Sequence, residues 1–159
     1  MKFYLKPVLS VLALATLLVY SGCGGGGDPG PTEEEKALTS LSATWKVAGG
    51  ANNDVTLDGV SKKADYNGFT LTISGTAGAA SYGYTTAGRP SLSAWPANGS
   101  WKFGDPLATD ITRDPGTDKE VDIHYTVTGD QLELTFTYNQ AGESRTDKVT
   151  GVWIFRMSK

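Results

Sequence analysis

"VDIHYTVTGDQLELTFTY", residues 121–138, decides the fold class. Val121, Ile123, Tyr125 and Val127 alternate with Asp122, His124, Thr126 and Thr128. Leu132, Leu134, Phe136 and Tyr138 alternate in the same way with Glu133, Thr135 and Thr137. The period is two rather than 3.6, which gives each run one apolar and one polar face, as in a half-buried antiparallel strand. Thr128-Gly129-Asp130 between the runs is a tight-turn signal, so the stretch is expected to be a β-hairpin.

The same grammar extends outward. Asp58-Gly59, Asn67-Gly68 and Asn98-Gly99 are dipeptides that favour turns with positive φ. Strands are expected at Val55–Leu57, Phe69–Ser74, Ser81–Thr85, Ile111–Arg113 and Val149–Met157, with a loop at Asp114-Pro115-Gly116. A short helix is expected over Glu33–Leu38. These elements make an all-β domain, a single antiparallel meander of about eight or nine strands. Closing the meander into a barrel removes its exposed edges.

"ATWKV" (43–47), "GSWKF" (99–103) and "GVWIF" (151–155) place a small residue one or two positions before a tryptophan and an apolar residue two after it. The tryptophans are 56 and 52 residues apart, but the segments between them show no matching self-similarity. The shape is explained by small residues that let a strand bend or pack closely while an indole fills the core. With "LSATWKV", "NGSWKF", "ITR", "VDIHYTVTGDQLELTF" and "GVWIFRM" in this order, residues 41–157 resemble the lipocalin-like lipoproteins of Bacteroidota. The resemblance implies a lipocalin-like barrel in which a basic residue near the end covers the first-strand tryptophan. Arg156 over Trp45 is the matching pair, with Ala43 where a glycine is usual. A fold does not fix a function, so the ligand stays open.

The N-terminus carries an address. Lys2 and Lys6 precede the apolar run Val8–Tyr20, which is shorter than the about 20 apolar residues of a membrane span and suits an export signal. Ser21-Gly22-Cys23 resembles a bacterial lipobox, with Tyr20 where a leucine is usual. It implies cleavage of residues 1–22 and lipidation of Cys23. Cys23 is the single cysteine, so no intramolecular disulfide is available, and acylation removes an otherwise exposed thiol. Each buried CH2 of an acyl group contributes about 0.8 kcal/mol, so two such groups anchor far better than one. Gly24–Gly27, Asp28-Pro29-Gly30-Pro31 and the acidic Glu33–Glu35 read as a tether, residues 23–36, ahead of a domain at 37–159. The expected location is the cell envelope, lipid-anchored, at the periplasmic face of the outer membrane or on the cell surface.

Without Lys2 and Lys6 the protein keeps 12 of its 14 basic side chains against all 17 acidic ones, a net charge of −5. No basic stripe is present, which argues against nucleic acid as a partner. His124 is the single histidine, beside Asp122 on a polar strand face. With no second histidine and no cysteine in the domain, a zinc site of ordinary composition is excluded, and no nucleophile-elbow sequence accompanies the histidine. "DPLATDITRDPGTDKEVD" (105–122) is acidic, but lacks the ligand spacing of a calcium loop and carries Arg113 and Lys119. Carboxylates such as Asp122 and Glu133 are common on polar strand faces and do not by themselves mark a hydrolase. No metal or cofactor is expected.

Aromatic residues remain. "YGYTTAGRPSLSAWPANGSW" (82–101) concentrates Tyr82, Tyr84, Trp95 and Trp101 around Gly, Pro and Ser, with Tyr66 upstream. Either they fill the barrel, which suits Tyr82, Tyr84 and Trp101, or some line a pocket mouth and stack on a ligand. Trp95, just before Pro96 and the Asn98-Gly99 turn, is expected near a rim and is the first choice for ligand contact. The leading expectation is a non-enzymatic, membrane-anchored binding module for a small apolar or glycan ligand. The alternative is a packed barrel that acts in an envelope complex, with a protein partner, or as an enzyme inhibitor. An eight-stranded barrel holds either side chains alone or one small ligand, so a filled core would count against the first.

Overall fold

A computed structural model describes residues 30–139 and 149–159. The expected signal segment, Cys23 and the tether through residue 29 lie outside the described residues. Helix α1 spans Glu33–Leu41. The strands are β1 (Ala43–Lys46), β2 (Asp54–Leu57), β3 (Val60–Ser61), β4 (Thr70–Ser74), β5 (Tyr82–Ala87), β6 (Asn98–Phe103), β7 (Asp110–Arg113), β8 (Val121–Thr128), β9 (Gln131–Tyr138) and β10 (Gly151–Ser158).

Strands β8 and β9 form the expected hairpin, with Thr128 opposite Gln131 and His124 opposite Thr135. Val121, Ile123, Tyr125, Leu132, Leu134 and Phe136 are buried, and the residues between them face outward. From β4 to β10 each strand pairs antiparallel with the next. β1 closes the ring, pairing with β4 from Ala43↔Ile73 to Lys46↔Thr70 and with β10 at Lys46↔Ser158. The result is a closed eight-stranded antiparallel barrel.

The two additional strands come from an interruption. After Lys46 the backbone leaves the barrel wall, and β2 resumes pairing with β10, from Asp54↔Arg156 to Leu57↔Trp153. β3 folds back on β2. The interruption is stapled by Asn53, whose amide nitrogen donates to Lys46 O (3.0 Å) and Ser158 Oγ (2.9 Å) across the seam.

All four tryptophans are buried. Two of the three repeated motifs share a real geometry. Trp45 donates its indole N–H to Leu41 O (2.9 Å), and Trp153 donates to Val149 O (2.7 Å), each four residues back. A small residue is required between them in the second case. A Cβ on Gly151 would lie 2.4 Å from Asp58 Oδ2 and 2.7 Å from Leu57 Cδ1. Trp101 instead donates to Gly83 O on the adjacent strand (3.2 Å).

Helix α1 runs three residues beyond the expected Leu38 and covers one end of the barrel with Leu38 and Leu41. Thr32 and Glu35 form a reciprocal capping box. The acidic residues expected to belong to the tether are thus the first helical turn, where negative charge meets the positive end of the helix dipole. Glu34 accepts from Gly78 N (2.7 Å) and from the Tyr82 hydroxyl, which fixes the helix to the β4–β5 connection.

This contact makes helix docking pH-dependent. The Tyr82 hydroxyl and the Gly78 amide hold the Glu34 carboxyl below its ordinary 4.5. Burial, then the bond to Glu34, pushes Tyr82 up to about 12. A carboxyl with a lowered folded pKa stabilises above its unfolded value, and that contribution disappears as pH falls through the folded value. For Tyr82 the contribution is complete below 10.0 and disappears as pH rises through about 12. Protection of the Leu38–Leu41 amides, measured against their intrinsic exchange at each pH, should therefore fall at both extremes. Glu34→Gln should flatten the acid side, and Tyr82→Phe should remove the alkaline side. Unchanged profiles in both variants would refute the docking role.

Candidate functional site

The interior at the end opposite α1 is closed by the β5–β6 connection, residues 88–97. Thr86 Oγ1 donates to Pro96 O (2.7 Å) and Thr86 N to Ala97 O (2.8 Å). Ala94 N donates to the Tyr66 hydroxyl (3.4 Å), and Arg89 Nη1 to Trp95 O (3.2 Å). These bonds turn the loop inward and insert Ala94 and Trp95 into the barrel. Trp95, expected near a rim, is only 2% exposed. Its ring meets Tyr84, Phe136 and Phe155 edge-on, at centroid distances of 5.4, 5.9 and 6.2 Å.

Over Trp95 lies Arg113, whose guanidinium carbon is 4.8 Å from the indole centroid and 5.7 Å from that of Phe136. Arg113 is 1% exposed. Its Nη1 donates to Ala94 O (2.8 Å), and its Nε lies 3.5 Å from Asp114 Oδ2. Asp114 in turn accepts from Ser100 N (3.0 Å) and the Tyr84 hydroxyl (2.7 Å). Burial pushes the Arg113 pKa down, yet a guanidinium remains charged. Burial and donation to Asp114 push Tyr84 up, so it stays a neutral donor. Gly99 makes the cluster possible, since a Cβ there would stand 2.0 Å from Asp114 Oδ1 and 2.5 Å from the Tyr84 oxygen.

Among the described residues the interior is closely packed with side chains. Around Leu71, Ile73, Tyr84, Trp101 and Arg113 the remaining void is about 10 Å3, room for one water at most. Tyr82 and Trp101 pack with ring centroids 4.5 Å apart and planes tilted by 38°, beside Phe103. Tyr66 packs on Phe69, Trp153 and Phe155. The structure thus uses Tyr66, Tyr82, Tyr84, Trp95 and Trp101 as core. They form no open platform.

The cation expected over Trp45 is a different one. Lys159 Nζ lies 5.4 Å from the Trp45 centroid. Arg156 belongs to the outward set of β10, between buried Phe155 and Met157, and its Nε binds Glu133 Oε2 at 2.7 Å. His124 is exposed, with Nδ1 3.2 Å from Asp110 Oδ1, and Asp122 accepts from Thr112 (2.9 Å). In the acidic segment, Asp110, Asp114 and Glu120 bond to different partners, and no cluster of three potential metal ligands occurs among the described residues.

Sequence reasoning about sites missed Arg113, although its signal is local. Two residues after inward-facing Ile111, it must share that strand's inner face. A charge at an inward position is the signal.

Two outer grooves are larger than the interior void. One, about 290 Å3, lies over Thr126, Gln131, Glu133 and Arg156 under Asn52. The other, about 170 Å3, opens at the plugged end between Lys62, Asp65, Pro90 and Leu92, with Tyr66 and Trp153 beneath. No family model, curated protein or solved structure matches this protein.

The cation–indole stack should be measurable. Trp95→Ala should cost about 3–5 kcal/mol as a buried aromatic truncation. Arg113→Ala should cost about 3–5 kcal/mol by leaving Asp114 without its cation. The double variant should fall short of their sum by about 1–2 kcal/mol, since the side chains are in contact. Additive urea-unfolding energies would mean that the stack contributes nothing.

Proposed function

We propose that this protein is a lipid-anchored interaction module of the cell envelope, a packed barrel that works through its outer surface in a protein complex and is not an enzyme. The observation that carries this reading is the filled interior. A void of about 10 Å3 admits no organic ligand, whether apolar or glycan.

The two ends of the barrel support it further. The domain begins with α1, which is fixed to the β4–β5 connection. Successive hairpins of a meander alternate ends, so the β5–β6 loop lies at the opposite end. There Val60 (62%) and Leu92 (45%) are among the most exposed large apolar side chains. Val60 pairs with Leu57, which pairs with Trp153, so all three share a sheet face that leads to the 170 Å3 groove. Exposed apolar residues beside a groove with a polar rim are the usual mark of a protein contact.

The test uses the full-length protein in its native envelope. Cys23→Ser should release it from the membrane fraction. Crosslinking in intact cells should capture a partner protein, and Val60→Glu with Leu92→Glu should lose that product while keeping the urea midpoint. Native and denaturing masses of the released protein should agree. A small molecule lost on denaturing, with no crosslinked partner, would overturn the reading and restore a ligand carrier.

A further inference from the structure

The sequence holds two Asn-Gly pairs, and the fold treats them oppositely. Asn67-Gly68 lies in the exposed turn before β4. Its backbone bonds, Asp65 N and Tyr66 N to Lys62 O and Phe69 N to Tyr66 O, straddle the pair. Asn98-Gly99 opens β6, with Asn98 opposite Thr85 and Gly99 opposite Tyr84 in the ladder. Asp114 Oδ1 and the Tyr84 hydroxyl fill the space that a Cβ on Gly99 would take.

We propose that Asn67 is a site of spontaneous covalent modification, in which its side-chain amide becomes a carboxylate through a cyclic imide with the Gly68 nitrogen. Base removes the Gly68 amide proton, and that nitrogen attacks Asn67 Cγ. A bond forms between the Gly68 nitrogen and Cγ, the bond from Cγ to Nδ2 breaks, and ammonia leaves with a proton from solvent. Water then opens the ring. Attack at the backbone carbonyl of Asn67 gives isoaspartate, and attack at Cγ gives aspartate. Nothing is oxidised or reduced. The net reaction consumes one water and releases one ammonia.

The attack requires the Asn backbone to rotate until the next nitrogen reaches Cγ, and it requires that nitrogen to be unshielded. Glycine supplies no Cβ to shield it. At Asn67 the turn is exposed, and the bonds that define it do not engage the reacting atoms. At Asn98 the same rotation would break the pairing with β5 and displace Gly99 from under Asp114. Chemically identical pairs are thus separated by the fold. The product puts a negative charge beside Tyr66, in the turn whose Lys62 and Asp65 wall the outer groove. The chemistry does not depend on what that groove binds.

Gly68→Ala is a clean control. A Cβ at Gly68 meets only Gly88 Cα, at 4.0 Å, so the substitution has room and requires no positive φ. The experiment incubates the full-length folded protein at mildly alkaline pH and maps peptides for the one-unit mass gain and for isoaspartate. Asn67 should convert at least roughly tenfold faster than Asn98, about 1.4 kcal/mol in barrier. In urea the two rates should converge. Gly68→Ala should lose most of the conversion at Asn67 with the urea midpoint kept. Equal rates in the folded protein would overturn the proposal. So would conversion at Asn67 that Gly68→Ala leaves unchanged, or that appears only on unfolding.

Discussion

The barrel is organised around a guanidinium that has almost no contact with water. Moving Arg113 into the interior forfeits hydration worth several kcal/mol even after relaxation. Four features offset that loss: the Trp95 face, the Phe136 face, the Ala94 carbonyl and the Asp114 carboxylate. They come from three separate parts of the sequence. Trp95 and Ala94 sit in the β5–β6 loop, Phe136 in β9, and Asp114 just past β7. Enclosing one cation therefore fixes the path of a loop, the filling of the barrel and the start of the β7–β8 connection together. Asp114 has φ of +49°, a left-handed conformation that an aspartate tolerates better than most residues. The carboxylate then reaches Ser100 N and Tyr84, which lock β5 and β6 to the same point.

The legible part of the fold is whatever depends on neighbours along the sequence. Period-two alternation reveals the β8–β9 hairpin, since every second side chain of a strand must share a face. Turn dipeptides reveal the connections at Asp58-Gly59 and Asn67-Gly68, whereas Asn98-Gly99, expected to be a turn, instead opens strand β6. Illegible features depend on partners distant in sequence. Gly49-Gly50 announces a break after β1, with Gly49 at a φ of +90°, but nothing local announces that β2 resumes pairing with β10, because Asn53 finds its partner across the seam in Ser158, 105 positions away. A basic residue near the C-terminus does cover Trp45, but the choice between Arg156 and Lys159 turns on register. With Trp153, Phe155 and Met157 inward, Arg156 must face out, and only a residue beyond the strand end can curl back over the indole. That parity is present in the sequence. The inward parity of Arg113 after Ile111 is present too.

Trp95 shows why composition misleads about sites. Tryptophan before proline, in a segment rich in Gly, Ser and Pro, has the composition of an exposed binding loop. The same composition is also what a loop needs to turn back on itself and enter its own core. Small residues at Ser93 and Ala94 let the loop approach Tyr66 and Arg113, and Pro96 brings no N–H that would need an acceptor inside. The two possibilities differ only in whether a polar group awaits the indole inside. Here a cation does. An aromatic cluster opposite an inward-facing arginine is better read as a plug than as a platform.

The filled barrel has two unlike ends. One end is occupied by α1, whose capping box, buried leucines and Glu34 contact consume the groups that a partner would otherwise meet. The other end carries the plug loop and the turn 62–68 around one groove, with hairpin β2–β3 leading into that turn. β3 is only two residues long, ends the sheet order and is followed by Lys62 and Lys63. Short, lysine-flanked edges resist indiscriminate strand pairing. The exposed Val60 is thus presented on an edge protected against aggregation. The packed core carries that edge and the plug loop at the same end of the barrel.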